Sequence, residues 1–101
     1  MNKMRRKELA NLIADLRCVK DKDDIYDAIN TLEYIKSDEE YYYDNIPENL
    51  QNSQRAYDSQ EAIDNMDDAL DFLNMAYDAT ENEDMTQPIS KAIEKINLAK
   101  F

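Results

Sequence analysis

Pro47 dictates more about this chain than any other residue. It has no N–H to give a helix, and its ring pushes Ile46 out of the helical region. It stands in Tyr41-Tyr42-Tyr43-Asp44-Asn45-Ile46-Pro47-Glu48-Asn49-Leu50-Gln51, with helical periodicity before and after. A helix is therefore expected to stop near Asp44 or Asn45, and Asp44 and Asn45 favour the turn that follows. The chain is expected to double back over residues 45–56, with its two halves packed together. At 101 residues it makes one domain with a thin core.

Four apolar stripes set the expected helices. Leu9, Leu12, Ile13, Leu16 and Val19 give a helix over about 3–20, with Asn2 as its cap. Ile25, Ala28, Ile29, Leu32 and Ile35 give one over 24–44. These two stripes point to nearly opposite sides of a straight helix. Lys20-Asp21-Lys22-Asp23-Asp24 holds no apolar residue, so a break with Asp23 or Asp24 as the new cap is expected. The alternative is one long helix. Ile63, Met66, Leu70, Leu73 and Tyr77 step by three and four, a heptad seam in a helix over 57–79 capped by Asp58 or Ser59. Ala62, Ala69 and Ala76 flank it and admit a close neighbour, and Asn49 to Arg55 reads as loop. After a polar connection over 80–86, Ile89, Ala92, Ile93, Ile96 and Phe101 line a last helix over 87–101 that begins near Thr86 and Pro88. The fold class is all-α: an antiparallel helical hairpin or a small four-helix bundle, the third helix lying on the second and the fourth on the first. The absence of glycine argues against phosphate loops and β-hairpins.

Charge is unevenly placed. The net value of −11 divides into +4 over residues 1–20, −17 over 21–85 and +2 over 86–101. Such a centre repels nucleic acid and attracts basic protein surfaces. No apolar run approaches the ~20 residues of a membrane span, and no hydrophobic stretch follows the basic Met1–Lys7 segment. The single Cys18 is expected to be a buried thiol. A cytoplasmic setting follows as the expectation.

Chemistry is scarce. Without histidine, His-based triads and His metal sites are excluded. Asp78-Thr80-Asn82-Asp84 alternates oxygen ligands like a calcium loop, but Glu83 replaces the sixth-position glycine and Ile89 the twelfth-position glutamate. Asp21-Asp23 fails likewise. Glu61-Ala62-Ile63-Asp64 matches half of a magnesium site of helical nucleotide pyrophosphatases, with no Glu-x-x-Glu for the other half. We therefore expect no catalytic residue, cofactor or metal.

What remains is surface. Glu61, Asp64, Asp68, Asp71 and Asp78 recur at helical spacing, with Asp67 nearby; carboxylates one turn apart stand about 5–6 Å from each other, near the spacing of neighbouring phosphates. Asp38, Glu39, Glu40 and Asp44 flank Tyr41, Tyr42 and Tyr43, which cannot all face one core because successive helical residues point about 100° apart. Tyrosine beside carboxylate suits protein binding. Apart from Asp67, these residues, twelve in all, form the expected partner-binding surface; the plain alternative is a solvated helix face.

The motifs Arg5-Arg6-Lys7-Glu8-Leu9, Tyr43-Asp44-Asn45-Ile46-Pro47-Glu48-Asn49-Leu50-Gln51-x-Ser53 and Glu61-Ala62-Ile63-Asp64-Asn65-Met66-x-x-Ala69 carry a resemblance. Over residues 5–79 the chain resembles small acidic helical proteins of phages and mobile elements of Gram-positive bacteria, which share a (Y/F)DN(I/M/L)PENLQ-type hinge. The resemblance implies a phage-like origin and no active site. The combined expectation is a non-enzymatic module that blocks a basic host protein, such as a nucleic-acid-binding defence factor, by mimicking nucleic acid and without binding it. The alternative is a self-associating helical component of a phage or bacterial assembly, the seam shared between chains in a homodimer.

Overall fold

The computed structural model describes residues 2–79 and 85–100, and all its regular structure is helical. Helix α1 runs Lys3–Arg17, α2 Lys22–Asp44, α3 Gln54–Asp78 and α4 Thr86–Ala99. The calcium-like stretch past Ala79 and the expected packing of Phe101 fall outside the described residues.

The break between the first two helices comes slightly earlier than the stripes suggest. α1 stops at Arg17, and Asp21, rather than Asp23 or Asp24, caps α2. Its Oδ1 accepts from the Asp24 N–H at 3.0 Å, while Asp24 Oδ2 accepts from the Lys20 N–H at 3.0 Å. The first bond settles one of the donors that a helix start leaves without a partner, and the second, reaching one residue further back than a capping box does, ties the preceding turn to the helix. Asp21→Ala is expected to cost about 1 kcal/mol, read as a lower melting temperature with helical content at low temperature unchanged. Cys18 corrects the expectation of a buried thiol: it is exposed. Two residues beyond the buried Leu16, it lies on the far side of the helix from the stripe.

At the hinge, α2 ends at Asp44. Asn45 closes it by donating from Nδ2 to the Tyr41 carbonyl at 2.7 Å. No described residue takes a positive φ, in keeping with a chain that lacks glycine. Pro47 opens a 3₁₀ turn over Glu48–Leu50, and Gln51 Nε2 ties that turn back to the Ile46 carbonyl at 2.8 Å. The Ile46 side chain is buried, which anchors the turn. α3 begins three residues before the expected start. Ser53 is its cap, accepting from Ala56 N–H, and Ser59, expected as a cap, is buried instead.

The helices run alternately up and down. α2 packs on α1 and α3, and α4 closes the ring by packing on α3 and α1. The principal extents are 52 × 19 × 17 Å. The core collects Leu9, Leu12 and Leu16 from α1, Ile25, Leu32 and Ile35 from α2, Met66 and Leu73 from α3, and Ile96 from α4. Tyr77 does not complete the seam. It is partly exposed and packs against Tyr26 in a tilted arrangement with centroids 6.1 Å apart, while Ala76 takes the buried place.

The α3–α4 pairing is the most extensive. Asp68 with Lys95, and Phe72 with Lys91, fix its antiparallel register. In that register Ala62 lies nearly level with Ala99, and Ala69 with Ala92, all four buried. Small side chains every seventh residue on both helices allow their backbones to come close.

Three polar side chains are buried with the core. Arg5 Nε donates to Glu39 Oε1 at 2.9 Å, and Ser59 Oγ donates to Glu39 Oε2 at 2.5 Å. They bind α1, α2 and α3 at one level.

Candidate interaction surface

α2 and α3 sit side by side and carry most of the acid. Together they hold fifteen Asp/Glu against three Lys/Arg, whereas α1 and α4 hold three against seven. The bundle therefore has an acidic flank and a basic flank across its narrow dimension.

Along the outside of α3, every member of the series Tyr57, Glu61, Asp64, Asp68, Asp71, Met75 and Asp78 is exposed. The steps of four and three keep the series on one stripe about 32 Å long. Within it, Asp68 faces Lys95 at 3.7 Å and Asp64 accepts from Gln60 Nε2 at 2.9 Å. Glu61, Asp71 and Asp78 have no ion-pair partner among the described residues, which leaves their charge to solvent or to an incoming cation.

The α2 residues divide by helical angle. Glu40, Tyr43 and Asp44 turn toward α3 and line a shallow groove with Asp64 and Asp67, of about 290 Å³. Lys36 enters from the side, bonding Asp67 and standing 3.9 Å from Glu40. The Asp67 hydrogen bond holds the Lys36 ammonium above its ordinary range, against partial desolvation, with Glu40 and Glu33 adding to the upward pull. A raised lysine value keeps this link intact below the ordinary lysine range and releases it only as pH climbs through the raised value. Near neutral pH the groove therefore keeps one fixed cation.

Tyr41 points outward, 74% exposed. Tyr42 is half-buried toward α1, its ring beneath the Arg5 guanidinium at 5.5 Å. Asp38, one turn earlier on the same flank, is half-buried. Thus Tyr41, Tyr42 and Tyr43 face three directions. Glu40, Tyr43, Asp44 and Asp64 share one groove, the α3 acids continue from it, and Asp38 and Tyr42 stand apart.

Glu39 is the correction to this set. It is fully buried and both of its oxygens are taken, so it belongs to the core network and presents nothing to a partner. Sequence reasoning also overlooked Tyr57 and Met75 as members of the stripe, although their spacing from the acids was visible.

Among the described residues no three Asp, Glu or Cys side chains converge as a metal site. No helix among them is long and apolar enough to cross a membrane. The heptad seam is spent within the chain: Ile63, Met66, Leu70 and Leu73 are buried against the other helices. Comparison with protein-family models, with curated proteins and with solved structures finds no match to this chain.

Proposed function

We propose that the protein is a non-enzymatic binding module whose acidic flank occupies a basic, nucleic-acid-gripping surface of another protein, in the cytoplasm of a bacterial host during phage infection. The observation that carries this is the exposed stripe on α3, where carboxylates recur every three or four residues and four of them, Glu61, Asp64, Asp71 and Asp78, have no ion-pair partner among the described residues. The groove of Glu40, Tyr43, Asp44 and Asp64 widens the negative surface toward α2. Tyr41 and Tyr57 add rigid contact area beside these charges. The phage setting rests on the resemblance carried by the hinge motif.

Neutralising the stripe tests the reading. The variant Glu61→Gln/Asp64→Asn/Asp71→Asn/Asp78→Asn alters only exposed groups and is expected to fold as the parent does. Tagged protein should capture basic, nucleic-acid-binding proteins from a bacterial lysate, and added DNA should compete. Affinity should fall steeply with salt and by at least about tenfold in the variant, the equivalent of about 1.4 kcal/mol. Capture that salt does not weaken, or that the variant retains in full, would remove this function.

A further inference from the structure

Arg5 is the one buried cation among the described residues, and the fold uses only part of it. Its Nε donates to Glu39 Oε1 at 2.9 Å, and the other Glu39 oxygen is held by Ser59. The terminal guanidinium nitrogens, which carry four of the five N–H donors, make no hydrogen bond among the described residues. Yet no fully buried side-chain nitrogen or oxygen there lacks a partner. The terminal nitrogens must therefore reach open space, and Arg5 lines a cleft of about 560 Å³ together with Asn2, Tyr42, Arg55 and Asp58.

The topology builds this cleft. α1 and α3 run the same way, so their first turns bring Arg5 and Arg55 to one opening from positions fifty residues apart. Glu39 and the Tyr42 ring fix the Arg5 guanidinium before any ligand arrives. Arg55 has no carboxylate within ion-pair distance among the described residues. Asp58, the acid of the cleft, has Oδ1 engaged by Gln54 Nε2 at 2.7 Å.

We propose that this cleft binds the phosphoryl group of a small phosphate monoester, with Arg5 and Arg55 donating to it from two helices. A planar carboxylate is satisfied by one guanidinium fork. Two forks from separate helices suit a doubly charged tetrahedral group with three free oxygens. The cleft volume falls within the range of small-molecule sites, roughly 300–1,000 Å³, larger than a bare ion needs. Asp58 opposes the ligand's charge and holds the affinity down.

The test is a titration of the full chain with inorganic phosphate, glycerol phosphate, a nucleoside monophosphate and acetate at constant ionic strength, followed by amide resonances. Saturable shifts should centre on residues 2–6 and 55–58, with at least one ester tighter than inorganic phosphate and acetate about tenfold weaker. Arg55→Gln, at an exposed position, should weaken binding about tenfold with an unchanged melting temperature. Asp58→Asn should tighten it. Non-saturable shifts, shifts spread over all lysines, or an Arg55→Gln variant that binds like the parent would overturn the proposal. The stripe variant of α3 should bind phosphate esters as the parent does, so failure here and failure of the partner-blocking function are separable.

Discussion

Glu39→Ala is expected to destabilise the bundle by about 3–5 kcal/mol, because it removes the buried carboxylate that pairs the Arg5 charge and leaves the Arg5 Nε–H and the Ser59 hydroxyl without their acceptor. In a domain whose whole stability is on the order of 5–15 kcal/mol, that loss places the variant near the edge of folding. The melting temperature should drop by more than about 12 °C. Removing the charges together should be far milder. Arg5→Met/Glu39→Leu/Ser59→Ala deletes the desolvation penalty along with the attraction and should recover most of the loss. Chemical denaturation of the parent, the single variant and the triple variant measures both. A single variant within about 1 kcal/mol of the parent would mean that the network contributes little.

The second large effect belongs to the α3–α4 seam. Ala69→Leu is expected to cost about 1–3 kcal/mol, because Ala69 is fully buried and nearly level with Ala92, where a larger side chain has no space. The same residue reads as a strong helix former in isolation, so helix propensity alone anticipates almost no change. Ala92→Leu should behave likewise, and the two together should cost less than their sum if one displacement of α4 accommodates both. Equilibrium unfolding of the two singles and the double gives the coupling energy. Variants as stable as the parent would show that the helices stand too far apart for alanine to matter.

Most of the fold is legible in the sequence, for identifiable reasons. The stripes at Leu9–Leu16, Ile25–Ile35 and Ile63–Leu73 place the helices, and Pro47 places the turn, because burying one face of each helix is what the composition permits. Helix starts were less legible. Asp21, Asp23 and Asp24 are all competent caps, and the choice of Asp21 goes with Asp24 being held at the third helical position, accepting from Lys20 N–H while donating to Asp21. Glu39 is not legible as a core residue from its charge alone, because an acidic side chain in an acidic run is ordinarily solvated. A finer reading was available: Arg5 extends the steps of Leu9, Leu12 and Leu16, Glu39 those of Leu32 and Ile35, and Ser59 those of Met66 and Leu73. Three stripes each end in one polar residue, but that these ends meet depends on helix register, which no single stripe contains. Cys18 is the converse case: its apolar neighbours along the chain are not its neighbours in space, since the stripe faces the other way.

The separation of acid onto α2 and α3, with the basic residues concentrated on α1 and α4, acts before any contact forms. In the field of a large cationic body the molecule rotates like a compass needle, presenting α2 and α3 and turning α1 and α4 away. Encounters then begin in the productive orientation more often than chance would give, so dilute electrolyte speeds association even where the final complex gains little affinity from it.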